Sequence, residues 1–387
     1  MPDELHETFN DDHGTLRVGE VRVRVGDSLH IEGESQVRHV TAVFGRPPNA
    51  HAACRGSGSF PLGPVRWRLL APGSTPWVTP IASALPATAR TAAPSTAGVI
   101  PRPLSCGLFA AAAGWRPAGE LHVIGFDSAW TAGRTGALTA IRAADDGLTV
   151  AAAPAPCTFD RARDLIAGLR ARGPVLLAID QPLVVPNATG SRPVDRVAGS
   201  LISRRRGGVQ PANTSKAAMF GPGAPIWRFL GEALPTSIDP RVRPDAPGSL
   251  WALEVFPALA SVGLFPEVQA AKLLKYNPVV RRMFSPGDWL GLTRVLAKIA
   301  GDLRIPALVA WARRLELAAP TKALQDEIDA VLCALVGLLI QFSPATIASV
   351  GDALAGYIVT PCPPALRPEL QAAAARVGVL CTFAAAL

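Results

Sequence analysis

Short apolar runs that stop on an acid set the pattern of the chain after residue 120. Leu121–Asp127 reads Leu-His-Val-Ile-Gly-Phe-Asp, and Pro174–Asp180 reads Pro-Val-Leu-Leu-Ala-Ile-Asp. Runs of this length, rich in Val, Ile and Leu and bounded by Gly or Pro, predict strands covered on both faces. Between them, Gly136–Ala144 and Gly147–Ala153 alternate around Asp145-Asp146-Gly147, a hairpin turn sequence. Leu165, Ile166 and Leu169 then share one face of a helix over Phe159–Arg172, which Gly173-Pro174 ends. A fifth strand is expected over Ser249–Phe256. Helical segments fill most of 257–317, and a long helix runs from about Thr321 to Gln341 on the stripe Ile328, Val331, Leu332, Leu335, Leu338 and Leu339. A strand over Tyr357–Thr360 and a helix from Pro364 close the chain.

These elements predict an α/β domain over residues 120–387, with a mixed five-stranded sheet flanked by helices. A long irregular insertion over 181–248 follows strand four. The right-handed crossover through the first helix places strand four beside strand one, so Asp127 and Asp180 come to one sheet edge, where sites of open α/β sheets lie. Upstream, residues 1–45 form a small β-rich segment around Leu16, Val18, Val21, Val23 and Val25. Residues 46–119, rich in Pro, Ala, Gly, Ser and Thr without period, read as a linker without fixed structure, so the N-terminal extension is mostly irregular.

Composition narrows the chemistry. A chain of 387 residues with 49% hydrophobic content holds one large or two small domains. The net charge of +8 permits a polyanionic partner. The six cysteines form no Cys-x-x-Cys pair, which fits scattered reduced thiols, and the acidic N-terminus lacks a signal peptide's basic start. The longest apolar run, Ala330–Phe342, is shorter than the roughly 20 residues a bilayer span needs. A cytoplasmic protein is expected. All six histidines lie at or before His122. That removes Ser-His-Asp and Cys-His catalysis, and His-rich zinc sites, from the main domain.

Acids remain. On the last helix Asp326 and Asp329 are three apart and share a face at the border of the apolar stripe. With Asp127, Asp180 and Glu254 they make a candidate catalytic set, in which Asp127, Asp180 and Asp329 are the expected metal ligands. At 4 Å and an effective dielectric near 20, each like-charge pair costs roughly 4 kcal/mol, so such a set calls for divalent cations. Oxygen ligands without His or thiolate suit Mg²⁺ or Mn²⁺. Two ions would activate a water and stabilise a leaving oxygen in phosphodiester cleavage. Each acid also has an ordinary structural use. An Asp after a strand forms turns and caps, an acid in a first helical turn is favoured by the dipole, and Glu254 could pair with an Arg of the insertion.

Gly125-Phe126-Asp127, Ala178-Ile179-Asp180-Gln181-Pro182-Leu183, Gly190-Ser191-Arg192, Leu253-Glu254-Val255-Phe256-Pro257 and Asp326-Glu327-Ile328-Asp329-Ala330 resemble family 429 of the domains of unknown function. The resemblance runs from about Leu121 to the C-terminus, Tyr357–Pro361 included. It implies an RNase H-like fold and a nuclease. Asp127, Asp180, Asp326 and Asp329 fall where RuvC-type resolvases of the wider superfamily carry their acids. Strand four ends here in Asp rather than the Glu of those resolvases, and Glu254 is an additional acid.

Arg192, Arg196, Arg204, Arg205, Arg206 and Lys216, set among the glycines and prolines of the insertion, are the candidate contacts to nucleic acid, DNA or RNA. Flexible Arg clusters match phosphate oxygens bidentately. Lys275 and Tyr276 are further candidates, and Trp130 is a packing residue or a stacking platform. Two other readings stay open: a nucleotide-binding phosphotransferase of the actin-like superfamily, with Asp127–Gly133 as a phosphate loop, and a catalytically inactive nucleic-acid-binding module.

Overall fold

In a computed structural model of the chain, residues 120–383 are described almost continuously, residues 244, 245, 270, 271 and 281 excepted. Before them stand Leu108, Phe109, Trp115, Pro117 and Gly119, and, within residues 1–95, a set of short strand backbones. Those strands make two antiparallel sheets. Thr8–Asn10, Thr15–Val18 and Val21–Arg24 form one; the other runs from Ser28–Ile31 to Trp67–Leu69. Three strands, His51–Cys54, Gly58–Pro61 and Trp67–Leu69, fall in the stretch read from the sequence as linker. Most of the rest of 46–119 lies outside the described residues. Residues 96–387 form a separate compact unit.

In that unit β1 (Leu121–Asp127), β2 (Gly136–Ala144), β3 (Gly147–Cys157), β4 (Val175–Asp180) and β5 (Leu250–Glu254) form one mixed sheet in the order β3-β2-β1-β4-β5. β2 is antiparallel to both its neighbours, while β1, β4 and β5 run parallel. The sheet is the α/β architecture the periodicity predicts. Helix α1 (Phe159–Arg170), capped by the Thr158 hydroxyl accepting from the Arg161 N–H at 3.3 Å, makes the crossover. It sets β4 against β1 with Asp180 directly opposite Asp127.

Each face of the sheet is covered, and strand parity decides which side chain goes where. Ile124, Phe126, Leu177, Ile179, Leu250 and Ala252 pack with α1 and with α4 (Pro225–Ala233). Val123, Leu176, Ala178, Trp251 and Leu253 face the other way, towards α9 (Lys322–Phe342). Every residue of α9 from Gln325 to Phe342 is buried, as expected of a helix apolar on nearly all sides. Helices α7 (Pro286–Asp302) and α8 (Pro306–Leu317) cover its outer side through Trp289, Leu292, Leu296 and Trp311. Phe109 and Trp115 stack against Phe342 at 6.1 and 5.9 Å, so the core of this unit recruits residues upstream of Glu120.

Two stretches differ from the sequence expectation. The insertion carries helices α2 (Pro193–Ser203) and α3 (Ala217–Phe220) as well as α4. Val194, Val197, Ala198, Leu201 and Ile202 have helical spacing, but dense Pro, Gly and Arg around them hide it. The tail holds an unexpected strand, β6 (Ile347–Asp352), pairing with β7 (Gly356–Pro361) and with β8 (Cys381–Phe383) in a small antiparallel sheet. Its helix, α10 (Arg367–Val377), packs on α2. Helix α5 (Pro257–Leu264), followed by the short α6 (Pro266–Gln269), links this layer to the main sheet.

The position of α9 depends on a missing side chain. A Cβ at Gly125, midway along β1, would meet the Ala330 carbonyl oxygen of α9 at 1.9 Å and the Ala334 nitrogen at 2.5 Å. The helix therefore rides on bare backbone, two residues before Asp127. A Gly125→Ala substitution must lift α9 from the sheet. It is expected to destabilise the fold by roughly 1–3 kcal/mol, the usual cost of overpacking, measured by urea denaturation.

Candidate metal centre

Asp127, Asp180 and Asp329 converge at the C-terminal ends of the parallel strands. Each offers a carboxylate oxygen, and these oxygens lie within 4.8 Å of one another. Parity explains the pair on the sheet: Asp127 continues the face of Val123 and Gly125, Asp180 that of Leu176 and Ala178, and both faces look towards α9. The close crossing at Gly125 brings Asp329, on the preceding turn of α9, down between them. Asp127 and Asp329 are buried, and Asp180 keeps part of its surface open.

Neighbours fix Asp329. The Tyr276 hydroxyl donates to its Oδ1 at 2.6 Å, and the Gln325 amide, one helical turn earlier, donates to its Oδ2. The Lys322 ammonium, one turn before Asp326, donates to the carboxylate of Asp326 and to Gln325 Oε1, the latter at 2.6 Å. Asp326 thus shares the acidic face but spends an oxygen on Lys322 and is not one of the three convergent groups. The residues after the two strand acids also meet: the Ser128 hydroxyl donates to Gln181 Oε1. Gln181 is fully buried, and its amide nitrogen finds no partner among the described residues.

Burial, then mutual repulsion, pushes the carboxyls of Asp127 and Asp180 well above the usual range, and Lys322 only partly opposes this. Asp329 rises to about 7, chiefly through burial, despite the hydrogen bonds from Tyr276 and Gln325. The donor set is all oxygen, and its charges repel. It therefore fits a hard divalent cation, Mg²⁺ or Mn²⁺, in preference to a soft one.

A family model described as "Protein of unknown function (DUF429)" matches residues 125–347, more than half of the chain. The chain belongs to this family. No curated protein and no solved structure matches it. The matched stretch of this DUF429 protein contains all three convergent acids, Tyr276 and Gln325. It stops at Ile347, short of β7, which the sequence resemblance included.

Several candidates named from the sequence have other partners. Glu254 follows the opposite parity, with Leu250 and Ala252, and is not one of the three convergent acids, although its charge adds to the rise at Asp180. Arg192 holds it through two bonds, Nη2 to Oε1 at 2.6 Å and Nη1 to Oε2 at 2.8 Å, and the Leu183 N–H donates to it at 3.1 Å. Arg192 is therefore no phosphate contact: it is 1% exposed and also donates to Asp195 at 2.8 Å and to the Val184 carbonyl at 3.0 Å. A buried guanidinium needs these acceptors, and the triad ties the insertion to the sheet. Arg205 is likewise withdrawn, forked onto Glu369 of α10 at 2.7 and 3.0 Å. Arg204 lies 3.6 Å from the same carboxylate with much of its side chain exposed. The Lys216 ammonium donates to the Pro211 carbonyl at 2.5 Å. Arg196 is exposed. Trp130, with φ at 59°, packs edge-on against Phe220 at 5.7 Å, the packing role of the two considered. The Lys275 ammonium donates to the Arg206 carbonyl at 2.6 Å. Gln325, Lys322 and the Ser128–Gln181 pair were not assigned from sequence, although Gln325 and Lys322 stand one turn before acids that were.

Two outcomes follow from this electrostatics. The folded chain holds the Asp329 proton more tightly than the unfolded chain, whose carboxyl titrates near 3.8. Metal-free protein therefore loses stability as pH rises from about 4 to about 7. With EDTA the melting temperature should be lower at pH 8 than at pH 5, the gap should shrink in Asp127→Asn, and Mn²⁺ should raise it more at pH 8. In contrast, Arg192→Met, which strands two buried carboxylates, should cost about 3–5 kcal/mol in urea denaturation at pH 7.

Proposed function

We propose that this DUF429 protein is a metal-dependent nuclease that hydrolyses phosphodiester bonds. The observation that carries the reading is the convergence of Asp127, Asp180 and Asp329 from β1, β4 and α9 on one point. The sheet order and the place of these acids at strand ends agree with the RNase H-like fold that the sequence motifs imply. Asp127, Asp180 and Asp329 would hold a divalent ion, which would supply Lewis-acid polarisation of a phosphate oxygen and a nucleophilic water at neutral pH. The chain's own part is to hold the acids in place before the ion arrives. Tyr276 and Gln325 fix both oxygens of Asp329, and the Asp127–Asp180 register fixes the other two carboxylates. Lys322 adds one positive charge beside Asp326, to which its ammonium donates. The buried Gln181 amide nitrogen is a hydrogen-bond donor available to an oxygen placed beside Asp180.

Mn²⁺- or Mg²⁺-dependent cleavage of a labelled oligonucleotide by the full chain is the expected activity, absent with EDTA and lost in Asp127→Asn. Groups that orient a metal ligand typically contribute about 10–100-fold in affinity or activity, so Tyr276→Phe should lower the cleavage rate by about that factor. Lys216→Ala should leave the rate near wild type. Cleavage that persists in Asp127→Asn, at the wild-type rate and with the same metal dependence, would place the chemistry elsewhere.

A further inference from the structure

A groove of about 290 Å³ opens directly from the acids, and Asp180 and Asp329 form part of its wall. Its other walls are poor in charge. Tyr276 and Phe256, each half-buried, present aromatic surface, and Val280 and Met283 stand at the mouth, 44% and 47% exposed. Gly207 and Gly208 leave one side as bare backbone. Val279, next to Val280, is 63% exposed, so three of the large apolar side chains that reach solvent among the described residues gather in one loop beside the acids. Of the cations nearby, Lys275 donates to the Arg206 carbonyl, Arg205 to Glu369 and Lys322 to Asp326, while Arg206, next to Gly207, and Arg282, next to Met283, are exposed.

We infer that this groove holds an unpaired nucleobase, and that the chain acts on single-stranded nucleic acid in preference to duplex. The inference rests on the nuclease reading for the class of ligand and adds which form of it fits. A ligand in this groove touches Asp180 and Asp329, so its backbone lies at the acids. The volume is near the lower bound of small-ligand pockets, roughly 300 Å³, which suits one nucleoside and not a base pair. Aromatic and apolar walls suit the face of a base, which every sequence offers. Duplex binding instead relies on a row of Lys and Arg against phosphates; here Arg192 and Arg205 of the insertion are spent on internal partners, and Arg196, Arg204 and Arg206 are the exposed ones.

Gly208 provides a clean test. A Cβ there meets nothing within 4 Å, and its φ is not in the left-handed region. Gly208→Leu therefore adds bulk to the groove at no cost to packing. Fluorescence anisotropy in Ca²⁺, with a short labelled single strand and the matching duplex, should show the full wild-type chain binding the single strand at least about tenfold more tightly. Gly208→Leu and Met283→Asp should each weaken single-strand binding by about tenfold or more, with the melting temperature unchanged. Equal or tighter binding of duplex, no binding of either, or wild-type affinity in Gly208→Leu would overturn the inference. The nuclease reading fails separately, on the absence of metal-dependent cleavage or of a Mn²⁺ shift in melting temperature, whichever strand is bound.

Discussion

Three carboxylates that repel one another are held together because a helix crosses a strand where there is no side chain. Gly125 lets α9 approach β1 to backbone distance, and the same crossing that closes the core lowers Asp329 between Asp127 and Asp180. The packing is apolar and extensive, so it can hold an arrangement that electrostatics opposes. The opposition shows in the carboxyls themselves, all displaced upward from their ordinary range. Like charges kept together at such a cost support the proposed cation site.

Around that corner the remaining charged groups divide by role. Arg192, Glu254 and Asp195 form a closed buried network that fastens the insertion to the end of β5. Arg205 and Glu369 fasten α2 to α10. Glu327, though it lies between Asp326 and Asp329 in sequence, turns to Trp311 and Arg314 at 2.8 and 3.1 Å. What is left open at the acids is a mainly apolar groove, and the substrate preference inferred from it follows from the aromatic and apolar side chains that line it.

Much of this was legible in the sequence because strand and helix periods are local. The five strands, the crossover, the long buried helix and the pairing of Asp127 with Asp180 all follow from apolar runs and their order. So does the nomination of Asp329. Parity could also have placed Glu254: it shares the alternation of Leu250 and Ala252, and one residue's shift along a strand reverses the face. The roles of Arg192 and Arg205 were not legible, because an arginine among prolines and glycines looks solvated until its distant partners, Glu254 and Glu369, are known. Likewise β6 carries no strong apolar alternation of its own and exists through its pairing with β7 and β8. Tyr276 reaches Asp329 only through tertiary packing.

The most direct test of the account is anomalous diffraction from crystals of the full chain soaked in Mn²⁺. A manganese peak bounded by the carboxylates of Asp127, Asp180 and Asp329, and lost in Asp127→Asn, is the result the account predicts. Ordered density for the three acids with no peak between them at saturating Mn²⁺, or a peak held by other residues, would contradict it.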